Sequence, residues 1–368
     1  MLRWIGRLLL VLGGIVLAVL GIELFLRITD ARGAEFVLDT ELSAQPADLF
    51  QPDPEVRTRL RPGAEVVFET IEYRSTVRVN RLGLRGAEPG QGAYRVLALG
   101  DSFTMAAQVS EEQSWPEQLE GLLGAARGEA VEVLNAGVNG YGTFEAAATL
   151  ERLHGQLRPD AVVLGFYLGN DLRDNKNHEV PPPRVQMPMK TPAEIAAWEA
   201  RLVVERERAS LSRIYAMWLA ARVLQADDFR IQEYRDEVRV FAEPDRLAEQ
   251  LPHTEAALQR LASTCERLKV PCTVALIPPA YGVHTARADA TFEAFGLAAP
   301  DDLDGPARAI AAAAPPPLAV VDLTPALREA ASEPLYYTFD PHWTPAGHRV
   351  AAEAIAAAIT ATTASGRR

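Results

Sequence analysis

The sequence contains little cysteine and histidine, which limits the metal and redox chemistry available to it. Its 368 residues include two cysteines and six histidines, and no CxxC motif or Cys/His cluster occurs among them. We therefore do not expect a structural zinc site. Cys265 and Cys272 leave two alternatives open: free thiols at a helix–strand junction, or a disulfide formed in an oxidising compartment.

Concentrated positive charge is also missing. The chain has 37 Lys and Arg against 49 Asp and Glu, a formal net charge of -12 and a pI of about 5.1. No block of Lys and Arg stands out, and phosphate binding requires a concentrated basic face. We therefore expect no nucleic-acid partner. With 48% hydrophobic residues, the chain can bury one large core, or a core plus a smaller appendage.

The amino terminus carries one long apolar run. Two arginines precede it, and Glu23 alone interrupts it between Leu8 and Leu26. The run is close to the ~20 residues that span a bilayer. A cleaved signal peptide is the alternative, but no clear A-x-A site follows and no nearby cysteine offers a lipidation site. We interpret residues 1–27 as a single-pass signal anchor that holds the rest of the chain at the membrane, outside the cytoplasm.

Two kinds of pattern follow the anchor. Residues 28–92 are predicted to form a stalk and a small β-rich segment, because apolar residues alternate with polar ones over 64–80 as in two antiparallel strands. From residue 93 onward, apolar runs alternate with helical patterns. The five runs are Arg95–Leu99, Val131–Leu134, Ala161–Leu168, Thr273–Ile277 and Leu318–Asp322.

Near-continuous apolar strands between helices are typical of a parallel sheet that is covered on both faces. We therefore predict an α/β domain over residues 93–368, with three α/β/α layers and a five-stranded parallel sheet. The stretch 175–253 interrupts the rhythm and is predicted to be a helical insertion. It is either packed on the edge of the sheet or a lid over the site.

Polar segments follow the first three strands of this predicted sheet. They are Gly100-Asp-Ser102, the Gly-rich segment 135–142 and Gly169-Asn-Asp171. Ligands bind beyond the carboxyl ends of parallel strands, so the three segments are candidates for one site. Each alone also has an ordinary interpretation as a helix cap or a turn. The Gly-rich segment lacks the layout of a dinucleotide-binding motif.

A fourth segment, near the carboxyl terminus, contains Asp340, His342 and Trp343. An aspartate two residues before a histidine on a loop can hold the imidazole tautomer, so that His342 accepts the proton of Ser102. His348 is the alternative base, but it falls in the first turn of a predicted helix and we interpret it as structural. Trp343 either stacks on a sugar ring beside the base or is a core residue under the last helix.

Together these segments resemble the SGNH hydrolases, also called the GDSL family, over roughly residues 94–361. The matching blocks are Gly100–Ser102 for the nucleophile, Asn135–Gly140 and Gly169–Asp171 for the oxyanion hole, and Asp340 with His342 for the base. The common family pattern has Asp three residues before His, whereas the gap here is two. The Asp-x-His-Trp pattern resembles SGNH-like proteins that act on acetyl groups of extracellular polysaccharide.

The resemblance implies a flavodoxin-like SGNH fold and acyl transfer through an acyl-enzyme on Ser102. It implies Asp340 and His342 as the rest of the triad, and an oxyanion hole formed by Ser102, Gly140 and Asn170. Each donor of such a hole is worth roughly 3 kcal/mol. No metal or cofactor is required.

Three activities fit this resemblance. The first is an ester hydrolase acting on acyl esters, such as acylated envelope carbohydrate. The second is an O-acyltransferase that modifies envelope polysaccharide, with a sugar hydroxyl replacing water. The third is a non-catalytic envelope-assembly protein, against which the intact Ser, Gly, Asn and His set argues. We favour the hydrolase because water is always available as an acceptor.

Overall fold

The computed structural model describes residues 2–28, 49–69, 72–90, 94–178, 228–284, 287–338 and 340–365, and also 204, 208, 211–215 and 218. The chain forms two compact units. One consists of Met1–Ala44 with Val185–Ile231, and the other of Gln45–Arg184 with Gln232–Arg368.

The first unit contains helix α1 (Leu2–Ile28). Its segment Trp4–Ile28 has a mean hydropathy of 2.7 and is not buried by protein. The helix is long and apolar enough to span a bilayer, and a signal sequence has the same properties. Glu23 accepts hydrogen bonds from the backbone N–H groups of Arg213 (2.7 Å) and Ile214 (3.0 Å). These bonds satisfy the carboxylate that interrupts the apolar run.

The second unit begins with two hairpins. Strands β1 (Phe50–Asp53) and β2 (Arg57–Leu60) pair antiparallel, as do β3 (Glu65–Glu69) and β4 (Arg74–Arg78). The second hairpin confirms the strand pair predicted over 64–80. The first lies where a stalk was predicted, and it was missed because its short strands are mostly polar. Residues 29–48 of the predicted stalk lie outside the described residues.

The hairpins share a hydrophobic core with residues 105–148 of the α/β domain. Val66 and Val77 are buried in one cluster with Met105, Val138 and Tyr141. Burial of apolar surface stabilises by about 25 cal/mol per Å², so this shared core attaches the hairpins firmly. We call residues 49–90 the lead-in. It is an integral part of the second unit.

The centre of this unit is the predicted five-stranded parallel sheet, which the structure confirms. Its strands are β5 (Tyr94–Gly100), β6 (Val131–Asn135), β7 (Ala161–Tyr167), β8 (Cys272–Ile277) and β9 (Ala319–Asp322), in the order β6-β5-β7-β8-β9. Side chains alternate between the two faces of the sheet. Leu97 and Leu99 of β5 therefore belong to one core cluster, and Val96 and Ala98 to another.

Helices cover both faces of the sheet, as predicted. Those described in this unit are α2 (Ser102–Met105), α3 (Trp115–Arg127), α4 (Thr143–Leu157), α5 (Asp171–Asn177), α6 (Asp228–Ala242), α7 (Pro244–Leu268), α8 (Ala280–Val283), α9 (Ala288–Ala294), α10 (Gly305–Ala313), α11 (Thr324–Glu329) and α12 (Pro345–Ser365). Buried residues of α4, α6, α7 and α10 join the cluster of Leu97, whereas those of α3, α11 and α12 join the cluster of Val96.

The predicted insertion 175–253 is divided between the two units. Its described ends, within α5, α6 and α7, belong to the second unit, and Val238 and Phe241 of α6 are buried in the sheet core. The described residues between 204 and 218 belong to the unit of α1. The interpretation of 175–253 as a helical insertion, either packed on the edge of the sheet or a lid, stays a prediction.

The two cysteines lie on neighbouring elements, Cys265 on α7 and Cys272 on β8. Both are buried free thiols, and they are hydrogen-bonded to each other. The bond to Cys265, together with burial, raises the pKa of the Cys272 thiol. In this structure the free-thiol alternative holds.

Candidate active site

Ser102 stands directly beyond the carboxyl end of β5. Gly100 has φ +144, and a Cβ there would collide with Thr104 Oγ1 and lie 2.6 Å from the Gly165 carbonyl oxygen. Only glycine fits that position. Asp101 then caps α2, because its Oδ1 accepts the N–H of Phe103 at 2.9 Å. The cap is thus Asp101 and not Ser102, so the alternative interpretation of Ser102 as a helix cap is wrong.

The hydroxyl of Ser102 faces the loop that precedes α12. Ser102 Oγ lies 2.7 Å from His342 Nε2, and His342 Nδ1 lies 2.5 Å from Asp340 Oδ1. The same carboxylate oxygen accepts the backbone N–H of His342 at 2.9 Å. A turn in which an aspartate side chain accepts the backbone N–H two residues further on is an Asx turn. It explains why Asp340 can orient His342 from only two residues away: one carboxylate oxygen holds both the backbone and the ring of His342.

The electrostatics favour a basic His342. Burial by itself would lower the pKa of His342, but the negative charge of Asp340, its hydrogen bond to the ring and the charges of Asp101 and Glu237 together outweigh burial, and the pKa lies above its ordinary value of 6.5. Burial would likewise raise the pKa of Asp340, yet the attraction of His342 and the hydrogen bonds that Asp340 accepts lower it. Asp340 is therefore ionised when His342 Nδ1 carries a proton, which leaves Nε2 as the acceptor for the Ser102 hydroxyl.

The Gly-rich loop after β6 lies against α2. Asn135 Nδ2 donates to the Thr104 carbonyl at 2.8 Å, and its Oδ1 accepts the N–H of Gly137 at 3.0 Å. A Cβ on Gly137 would lie 2.6 Å from the Thr104 carbonyl carbon, so the close approach requires glycine. Further along the same loop, Gly140 is exposed and has φ +74. Asn135 thus fixes the start of the loop that carries Gly140 against α2.

Asn170 follows β7 at the start of α5. Its Oδ1 is buried and accepts no hydrogen bond from any residue that the structure describes. The next residue, Asp171, is buried and accepts the N–H of Tyr167 at 3.1 Å, which ties the start of α5 to the end of the strand. Asn170 is thereby placed at the same edge of the sheet as Ser102.

Replacing Asn170 with alanine is expected to lower kcat by about 10²-fold with little change in KM, because an oxyanion donor acts mostly in the transition state. Steady-state kinetics on an aryl acetate measure this. Asn177→Ala, at an exposed position of the same helix, is the matched control. An effect on KM alone would make Asn170 a substrate-positioning residue instead.

Two other predicted candidates lie in the core. His348 is 1% exposed, and its Nδ1 accepts the N–H of Trp115 at 3.3 Å. Burial lowers its pKa to about 3, so it stays neutral and structural, as interpreted from the sequence. Trp343 is fully buried, with its ring 5.1 Å from that of Phe103 in an edge-on contact. The suggestion that Trp343 stacks on a sugar is wrong, because no face of the ring is exposed.

Sequence reasoning missed Arg85 of the lead-in. This side chain is 3% exposed, and its guanidinium donates to the carbonyls of Met105, Ala106 and Val109. It therefore donates hydrogen bonds to carbonyl groups at the carboxyl-terminal end of α2, which have no partner within the helix. A single arginine in a polar stretch gives no signal of this role in the sequence.

Comparison with known proteins finds similarity in part of the chain. Residues 234–368 match the family model of the SGNH hydrolase-like domain of the acetyltransferase AlgX. This segment includes Asp340 and His342. Over this segment the chain is similar to an SGNH hydrolase-like domain. Ser102 and the first three strands of the sheet lie outside the matched segment.

Individual relatives match the chain either over a short segment or at low sequence identity. The chain is 34% identical over 83 residues to an arylesterase of Vibrio mimicus, a match that spans 23% of this chain and 41% of that protein. Among solved structures, a catalytic mutant of the acetylxylan esterase Axe2 from Geobacillus stearothermophilus is 17% identical, with a TM-score of 0.40, over 74% of this chain and 96% of that chain. A G-D-S-L family protein from Desulfitobacterium hafniense is 15% identical, with a TM-score of 0.37, over 72% and 99% respectively.

Proposed function

We propose that this SGNH domain is a serine-dependent ester hydrolase that removes acyl groups from cell-envelope carbohydrate through an acyl-enzyme on Ser102. The observation that carries the proposal is the continuous series of hydrogen bonds from Ser102 through His342 to Asp340. Serine hydroxyls are weak nucleophiles unless an adjacent base removes the proton, and this arrangement supplies that base.

In the acylation step, Ser102 Oγ forms a bond to the ester carbonyl carbon while its proton moves to His342 Nε2. Asp340 stabilises the resulting imidazolium. The negative oxygen of the tetrahedral intermediate accepts hydrogen bonds from the N–H groups of Ser102 and Gly140 and from the side chain of Asn170. The carbon–oxygen bond to the leaving alcohol then breaks, and His342 gives its proton to that alcohol.

In the deacylation step, water gives a proton to His342 Nε2 and attacks the acyl carbon. The bond to Ser102 Oγ breaks, the hydroxyl regains its proton from His342, and the free acid leaves. No other reactant is needed. The hydrolysis is therefore complete with the residues that the site brings together.

An O-acyltransferase is the second candidate, and the match to the domain of an acetyltransferase favours it. The acylation step is the same, and a sugar hydroxyl replaces water in deacylation. Exclusion of water from the acyl-enzyme is the physical requirement that separates the two.

Product analysis distinguishes these activities. Full-length protein in detergent is incubated with an aryl acetate, with and without an oligosaccharide acceptor, and mass spectrometry follows acetate and acetylated sugar. Acetate release that the sugar does not reduce is the expected result. Acetylated oligosaccharide as the main product would make the protein a transferase, and no acyl release or transfer from any ester tested would contradict both activities.

The apolar helix α1 supports the envelope location. We place the catalytic domain outside the cytoplasm, with α1 in the membrane, where polysaccharide hydroxyls and their esters are concentrated. External protease added to spheroplasts is expected to digest the catalytic domain. Protection of that domain would place it in the cytoplasm and remove envelope carbohydrate as the substrate.

The pH dependence of kcat/KM follows from the raised pKa of His342. The base accepts a proton from Ser102 only when it is neutral, so activity falls as the pH drops through the His342 pKa. We expect the midpoint of this acid limb above 6.5, the ordinary histidine value. Asp340→Asn is expected to move the midpoint to lower pH because it removes the negative charge. Full activity down to about pH 5 would exclude His342 as the base.

A further inference from the structure

The lead-in reaches the loop of Asp340 and His342 through Tyr73, the residue just before β4. Tyr73 Oη donates a hydrogen bond to Asp340 Oδ2 at 2.8 Å. The other oxygen of this carboxylate, Oδ1, is occupied by His342. The two oxygens of Asp340 are therefore held by two different parts of the chain, one near residue 73 and one in its own loop.

Glu72 holds the backbone of the same loop. One of its carboxylate oxygens accepts the N–H of Thr338 at 2.7 Å, and the other accepts the N–H of Asp340 at 2.9 Å. Hydrogen bonds to an ionised group are roughly twice as strong as neutral ones. Glu72 thus fixes the main chain around Asp340, while Tyr73 fixes its side chain.

The surroundings of Tyr73 keep its hydroxyl protonated, so that it donates a hydrogen bond. Burial, and then the negative charge of Asp340, raise the pKa of the phenol above its ordinary value of 10.0, so the hydroxyl retains its proton. The Tyr73 ring packs against the ring of Tyr337, with the centroids 5.1 Å apart. This contact limits the positions that the hydroxyl can take.

We propose that Tyr73 is a positioning residue of the active site, which acts through Asp340 on the orientation and basicity of His342, and that Glu72 supports it. The inference rests on the proposed function, in which His342 is the base. Without the Tyr73 hydrogen bond, Oδ2 has no protein donor among the contacts described, and the carboxylate rotates more freely. The lead-in then contributes to catalysis and not only to stability.

Other ionisable groups lie around Asp340 and His342. Besides Tyr73 and His342, the carboxylate of Asp340 is faced by Tyr337, while Glu72 binds the backbone N–H of Asp340. The imidazole of His342 is faced by Asp340, Asp101 and Glu237. The tests below change neither Asp101 nor Glu237, so a shift in the His342 pKa reports on Asp340.

The test is Tyr73→Phe in the full-length protein, with Tyr337→Phe as the matched control. The control removes a neighbouring phenol whose hydroxyl donates to the Gln108 carbonyl and not to Asp340. We expect Tyr73→Phe to lower kcat by about tenfold, as for the loss of one hydrogen bond to a charged group, with KM unchanged. We expect the acid limb to move to higher pH, because Asp340 concentrates its negative charge on His342 once Tyr73 no longer shares it.

Two further measurements keep the inference separate from the proposed function. NMR titration of His342 needs no turnover, and it is expected to show the same upward pKa shift in Tyr73→Phe and none in Tyr337→Phe. Glu72→Gln, which keeps one acceptor oxygen, is expected to lower kcat by a smaller factor than Tyr73→Phe.

Failure of the wild-type protein to cleave any ester would overturn the proposed function alone. Equal kcat and an equal His342 pKa in Tyr73→Phe and the control would overturn this inference.

Discussion

Replacing Ser102 with alanine is expected to lower kcat for ester hydrolysis by about 10⁴-fold or more, because the acyl group then has no oxygen to bond with. Ser102 Oγ is the atom that lies 2.7 Å from His342 Nε2. Its backbone N–H remains in the variant, so the loss reports on the nucleophile and not on the oxyanion hole. Steady-state turnover of an aryl acetate by the purified protein is the measurement.

The control for this prediction is Ser263→Ala on helix α7, where the serine hydroxyl accepts a hydrogen bond from Gln259 at 3.3 Å. That variant is expected to keep wild-type turnover. Thermal unfolding of both variants is expected to match the wild type closely, since Ser102 is only partly buried. Wild-type turnover in folded Ser102→Ala would show that another residue forms the acyl-enzyme.

The second large effect is expected from His342→Ala, which is predicted to lower kcat by about 10⁴-fold because Ser102 loses its base. His348→Ala is the matched control, because it removes a second histidine six residues after His342. We expect the control variant to retain most of its kcat and to lose about 1–3 kcal/mol of unfolding free energy, since the Trp115 N–H is left without its buried acceptor.

Urea denaturation and initial rates on the same preparations separate the two effects. The reverse pattern, with turnover lost in His348→Ala and retained in His342→Ala, would move the base to His348. The burial of His348 and the lowering of its pKa to about 3 argue for the expected pattern.

The sheet could be predicted from the sequence because its strands are buried on both faces. Such strands appear as short apolar runs, and the observed bounds differ from the predicted ones by only a residue or two. Helix α7 begins at Pro244 and continues through Pro252. Proline normally marks a helix end, and packing against the sheet overrides that local signal here.

The site could be predicted in outline because the carboxyl ends of parallel strands meet at one edge. The segments containing Ser102, Gly140 and Asn170 therefore had to lie near one another, whereas His342, which follows no strand of the sheet, was assigned from its spacing to Asp340 and from the family resemblance. Tyr73, Glu72 and Arg85 could not be found this way. They lie in the lead-in, outside the strand–helix pattern, and their contacts with the catalytic loops depend on how the hairpins pack on the domain.

Covalent trapping of the nucleophile tests the central claim most directly. A fluorophosphonate reacts with a serine whose hydroxyl is activated by an adjacent base, and peptide mass spectrometry locates the adduct. We predict a single adduct on Ser102 in the full-length protein, absent from Ser102→Ala and strongly reduced in His342→Ala. An adduct on a different residue, or none in a preparation that hydrolyses esters, would contradict the assignment of Ser102, His342 and Asp340 as the triad.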